Sequence, residues 1–101
     1  MATCQIYDNP DVTAEDFERL SLHVRSTGPM MPEGARLLVA GPTAGGWRVV
    51  TVWDSDEALQ RFVAERLVPA YEAAGLSLDN ATRTSFDVHT LVAGDLVGTP
   101  A

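Results

Sequence analysis

The sequence predicts one α+β domain, a four-stranded antiparallel sheet with two helices on one face, in the order β-α-β-β-α-β. Three observations predict it. Alternating or β-branched runs occur at Ala2–Asp8, Ala35–Gly41, Trp47–Trp53 and Thr84–Val92. Apolar residues recur at helical spacing after the first and third of these runs. Breaks rich in glycine or proline separate the segments.

Each element has its own signal. In the first strand Cys4 and Ile6 alternate with Gln5 and Tyr7. Asn9-Pro10 ends it, and Thr13 is a good N-cap with Glu15 and Asp16 at the positive end of the helix dipole. Phe17, Leu20 and Val24 then mark a helix over Ala14–Arg25. Two prolines and two glycines in Ser26–Gly34 stop it. The two middle strands are joined through Pro42–Gly46, whose glycines suit a hairpin turn. Asp54 or Ser55 caps the second helix, with Asp54 and Glu57 at capping-box spacing, and Leu59, Phe62, Val63 and Leu67 form its apolar face. Pro69 is expected to open a short further helical segment that Gly75 terminates. Residues 1–92 read as the domain and 93–101 as a C-terminal tail. The element order is the ferredoxin-like arrangement.

Composition narrows the function by exclusion. The net charge is −7, which disfavours nucleic acid and anionic membrane surfaces. All seven basic residues are arginine, so Schiff-base chemistry, a lysine-anchored cofactor and a P-loop are excluded. One cysteine and two histidines argue against a zinc site within one chain, and Cys4 reads as an inert strand residue. No apolar run reaches membrane-spanning length and no signal peptide is visible, so the expected location is cytoplasmic.

The middle strands do not alternate. Trp47, Val49, Thr51 and Trp53 point one way and Val50 and Val52 the other, while Leu37 and Val39 oppose Leu38 and Ala40. Two helices cover only one sheet face. The second apolar face therefore predicts a homodimer in which two sheets pack against each other about a two-fold axis.

One series of residues then carries a resemblance: His23 late in the first helix, Pro32 to Gly34, Gly46-Trp47, Trp53-Asp54-Ser55, Phe62, and Pro69 to Gly75. From His23 to Gly75 the chain resembles the dimeric α/β-barrel superfamily. It is similar to small actinobacterial members and to the antibiotic biosynthesis monooxygenase-like group. The resemblance implies a homodimer with a cleft between helices and sheet in each subunit. It also implies activities that range over cofactor-independent monooxygenases, heme-degrading enzymes, cyclases, isomerases and stress-related proteins. Heme-degrading relatives hold iron through a histidine near the end of the second helix, and Arg61–Gly75 has none.

The candidate bases are His23 and His89, the side chains that titrate near neutrality. His23 borders the buried face of the first helix, and the family pattern raises its weight; a boundary histidine bonded to backbone is the structural alternative. His89 shares a polar row with Asp87 and Ser85 on the last strand. Trp53 and Phe62 are expected as an aromatic wall, and Tyr7 (with Tyr71) as a hydrogen-bonding contact to a phenolic or keto oxygen. Met31, in the Met-Met pair of the Ser26–Gly34 loop, is expected to adapt to an apolar ligand. Trp47, about 20 Å from Trp53 on an ideal strand, reads as a packing or dimer-edge anchor. These residues suggest an enzyme without metal or organic cofactor, acting on an apolar, ionisable ligand of the aromatic-polyketide kind as monooxygenase or cyclase/isomerase. The alternative is a non-catalytic homodimer with a ligand-binding or stress-related role.

Overall fold

The computed structural model describes residues 1–94, so most of the expected tail lies outside the described residues. The elements are β1 (Thr3–Asn9), α1 (Ala14–Ser26), β2 (Ala35–Thr43), β3 (Gly46–Trp53), α2 (Asp56–Phe62), a π-helical turn (Val63–Leu67), α3 (Val68–Ala74) and β4 (Thr82–Asp87). All strand pairs are antiparallel and the sheet order is β2-β3-β1-β4. This is the predicted ferredoxin-like α+β fold. Among the described residues no helix is long and apolar enough to cross a membrane.

Local chemistry places the elements. The Thr13 side chain accepts from the Asp16 N–H, and the Asp16 carboxylate accepts from the Thr13 N–H, a complete capping box for α1. The bond from the Thr13 backbone is the main reason the Asp16 carboxyl sits below its usual range, with the Thr13 hydroxyl and Arg19 adding to it. A carboxylate with a depressed pKa contributes stability that is complete above its unfolded pKa of about 4 and is lost as pH falls through the folded value. Asp16→Asn is therefore expected to flatten the acid side of the stability profile. Thr13→Ala should cost about 1 kcal/mol at neutral pH, read by urea unfolding.

Ser55, rather than Asp54, caps α2: its Oγ accepts from the Ala58 N–H. Asp54 instead pairs with Arg36, which sits at the register shift between Ala35 and Leu37. The hairpin turn is shorter than expected. Pro42 pairs with Trp47 inside the ladder, which is possible because β2 is an edge strand where a missing N–H goes unused. Pro69 lies in the first turn of α3, within one residue of the expected opening of the short further segment, and that segment runs on from the helix before it without a break. A proline in a helix removes one backbone donor and crowds the carbonyl four residues back. Here the preceding turn widens, with Val68 N–H donating to Val63 O five residues back, and the helix passes Pro69 unbroken. Gly75 ends it in the left-handed conformation, φ 71°.

The helices pack on the sheet face that carries Tyr7, Trp47 and Val49, against Val12, Leu20, Val24, Ala70 and Tyr71. The register puts Cys4, Ile6, Leu37, Val39, Val50, Val52 and Phe86 on the other face. Val39 and Phe86 are 55% and 54% exposed, at opposite edges of a continuous apolar surface. Cys4 is buried there and its thiol is pushed up by that burial, which keeps it protonated and unreactive.

Candidate functional site

Between the helices and the sheet lies a cavity of about 70 Å³. Its floor is the helix-facing row of the strands: Gln5 and Tyr7 of β1, Leu38 of β2, and Trp47, Val49, Thr51 and Trp53 of β3. Its walls are Phe17, Leu20, Ser21 and Val24 of α1 and Leu59, Phe62, Val63, Leu67 and Tyr71 of the second helical arm. Met30 reaches in from the loop between α1 and β2. The lining contains no Asp, Glu, Arg or His.

Each end of the cavity has an aromatic pair. Phe17 stacks on Trp47 with ring centroids 5.0 Å apart, and Trp53 on Phe62 at 5.2 Å. Arg66 lies over the outer side of the second pair, 5.3 Å from the Phe62 centroid. Its guanidinium donates to Val24 O at 2.8 Å and to Thr27 Oγ1 at 3.2 Å, tying the π-helical turn to the end of α1. That clamp fixes the base of the loop that carries Met30.

Two polar groups on the lining residues lack a partner. Trp47 Nε1 and Trp53 Nε1 are buried without a hydrogen-bond partner among the described residues. Leaving such a group unmet costs about 1–3 kcal/mol. Asn9, 1% exposed, donates from Nδ2 to Tyr7 Oη at 3.2 Å and to Ser77 O at 3.1 Å, so both of its amide protons are used. Tyr7 and Tyr71 hydroxyls are 2.7 Å apart. Two phenols sharing one hydrogen bond leave one phenolic proton over. Burial, followed by the contact with Tyr7, pushes the Tyr71 phenol far above its ordinary value, so it stays protonated while accepting from Tyr7.

The structure gathers some of the expected residues and separates others. Tyr7, Trp53 and Phe62 line the cavity, and Tyr71 joins Tyr7. Trp47 lines it as well and packs against the core cluster, in keeping with the packing role expected of it. Met31 is 42% exposed and outside it, because the loop turns its neighbour Met30 inward instead. His23 is half-buried on α1 and is not part of the lining, which α1 supplies through Phe17, Leu20, Ser21 and Val24. β4 ends at Asp87, so His89 lies beyond the strand, exposed, with Nδ1 2.8 Å from Thr90 Oγ1. The polar row expected along the last strand thus stops short of it. Asn9 and Phe17 carry no site signal in the sequence, where they read as a strand end and a helix-face residue. Asn9 looked like a strand breaker beside Pro10, although its position two residues after Tyr7 places it on the same face. Among the described residues no group of three or more His, Cys, Asp or Glu is arranged to hold a metal ion.

Solved structures match this arrangement over nearly the whole chain. Rv0793 from Mycobacterium tuberculosis aligns with TM-score 0.63 and 17% identity, covering 92% of this chain and 100% of that one. A dimeric ferredoxin-like protein of unknown function from Thermobifida fusca aligns with TM-score 0.61 and 15% identity, covering 87% and 92%. The chain shares their ferredoxin-like fold. SnoaB, a cofactor-independent oxygenase from Streptomyces nogalater, aligns with TM-score 0.54 and 16% identity, covering 92% and 96%. No protein-family model matches the sequence, and no curated protein sequence matches it. At these identities the likeness is one of fold, and the chemistry has to be argued from the cavity.

Proposed function

We propose that this chain is a homodimeric small-molecule enzyme that acts, without metal or organic cofactor, on a flat, apolar, ionisable ligand rich in acceptor oxygens. The observation that carries this reading is a pair of buried indole N–H groups without acceptors, on two of the residues that line a cavity without charged side chains. Such a wall matches a ring compound bearing keto or phenolate oxygens. Donors aimed at an oxygen favour its anionic form, so they can lower the acidity barrier of a bound phenol or of a carbon beside a keto group. In the monooxygenase version an acidic ring CH2 loses a proton to solvent water, the carbanion and O2 form a carbon–oxygen bond, and the resulting peroxide takes a proton back from water and loses H2O to leave a carbonyl. CH2 and O2 thereby become C=O and H2O. In the cyclase or isomerase version the same anion attacks a second carbon or is reprotonated elsewhere. The fold shared with SnoaB, described as a cofactor-independent oxygenase, supports the first version.

The size of the cavity sharpens the ligand. About 70 Å³ is small beside the roughly 300 Å³ and more of ordinary ligand pockets. A multi-ring ligand therefore enters by displacing Met30 and its loop, and a compact one- or two-ring ligand fits with less movement. A second reading, a non-catalytic binding protein, draws on a specific feature: Tyr7 and Tyr71 are the titratable groups of the lining, and a phenol held protonated is a poor base. Anthrone with isotopically labelled O2 decides between them. The enzyme reading expects labelled anthraquinone above the uncatalysed rate in the presence of a chelator, reduced roughly 100-fold in Tyr71→Phe. Saturable anthrone binding without labelled product supports the binding protein and overturns the enzyme.

A further inference from the structure

A second concavity, about 220 Å³, opens on the other side of Tyr7, between β1, β4 and the start of α3. Its floor is apolar: Val63, Leu67, Val68, Leu78 and Ala81. Gln5 and Tyr7 belong to both walls and form the partition from the main cavity. At its rim stands Arg83, opposite Tyr7 in the β1–β4 ladder and on the same face of the sheet.

Among the described residues Arg19, Arg36 and Arg48 are paired with Asp16, Asp54 and Asp8. Arg66 caps the carbonyl end of α1. Arg25, Arg61 and Arg83 have no carboxylate partner among the described residues, and of these three it is Arg83 that stands beside the apolar groove. A guanidinium left free beside an apolar floor is complementary to a molecule with an apolar body and one carboxylate, since guanidinium and carboxylate pair through two parallel hydrogen bonds.

We infer that this groove is a binding site for a small apolar monocarboxylate, with its chain on Leu67, Leu78 and Ala81 and its carboxylate on Arg83. The site is separate from the main cavity and does not depend on the enzyme reading. Because Tyr7 is shared, an occupant of the groove touches the phenol that orders Tyr71, which gives the two sites a physical means of coupling.

The test uses octanoate and octanol, equal in apolar chain and different in charge, titrated by calorimetry and by amide chemical shifts on the full chain. Octanoate is expected to bind, to shift Leu78, Ala81 and Arg83, and to bind roughly tenfold or more tightly than octanol. Arg83→Gln should remove that preference while leaving octanol binding unchanged. Since Arg83 is exposed on an edge strand, the variant is expected to fold, and an unchanged melting curve confirms it. Equal affinity for the two probes, retention of the preference in Arg83→Gln, or shifts confined to Trp47 and Trp53 in the main cavity would overturn the proposal. The anthrone result is read independently and stands or falls without this one.

Discussion

Gly46→Ala is expected to be the most damaging single methyl group that can be added to this chain. Gly46 has φ 145°, a conformation that favours glycine, and a Cβ there would lie 2.5 Å from both Asn9 O and Pro10 Cα. Both contacts are backbone, so no side chain can swing aside to relieve them. Relief requires moving β1 away from the start of β3, where Asn9 pairs with Trp47. Backbone strain of this kind costs about 1–3 kcal/mol, and the clash adds to it. A small domain holds only about 5–15 kcal/mol in total, so the variant is expected to lose a large share of its stability. The damage should reach the site too. Asn9 carries the amide that orders Tyr7, and Tyr7 orders Tyr71, so displacement of Asn9 loosens the phenol pair. The check is a melting curve together with the tryptophan emission, which reports Trp47 beside the substituted residue. A melting temperature within a degree or two of the parent would show that the close approach of β3 to β1 is not what the structure indicates.

Val50→Asp is expected to convert the protein from dimer to monomer. Val50 lies between Ile6 and Val39 on the sheet face without helices, at the centre of the apolar surface that ends in Val39 and Phe86. In the proposed dimer a carboxylate there would be buried without a partner, which costs several kcal/mol, and each 1.4 kcal/mol is a tenfold loss of association. Leu22→Asp provides the control, because Leu22 is 63% exposed on α1, on the opposite side of the sheet. Light scattering over a dilution series should show a parent dimer, a Leu22→Asp dimer and a Val50→Asp monomer. A monomeric parent protein, or a Val50→Asp variant that remains dimeric, would remove the sheet-to-sheet interface from the account.

Much of the fold was legible because it rests on local signals. The Thr13 N-cap, the Gly75 stop and the parity of the β3 residues each act within a few positions, and each appears where the sequence puts it. The errors arose where long-range packing decides. Whether Met30 or Met31 turns inward depends on how the loop crosses the helix ends, and one residue of shift exchanges them. His23 looked like a site residue because it borders the apolar stripe of α1, yet the lining passes from Leu20 and Ser21 to Val24 and leaves it aside. His89 was tied to a strand that ends at Asp87. The Asn9–Tyr7–Tyr71 chain joins residues 64 positions apart at its phenol contact, and no spacing rule could have revealed it. The indoles were judged by their separation along the strand. That separation is real, and both indoles nevertheless belong to the lining of one cavity.

The most direct test of the central claim reads those two indoles. The chain has two tryptophans, so a proton–nitrogen correlation spectrum contains two indole N–H signals, and Trp47→Phe assigns them. The probe is lawsone, a flat, ionisable two-ring compound whose oxygens are acceptors when it is bound as its anion. Trp47 and Trp53 stand too far apart for one two-ring molecule to meet both, so the expected result is saturable downfield movement of at least one of the two signals on titration, as a buried Nε1–H acquires an acceptor. Tyr71→Phe should weaken the binding roughly tenfold. Indole signals that stay in place while lawsone binds elsewhere would contradict it, because the donors that define the site would then have no part in holding a ligand.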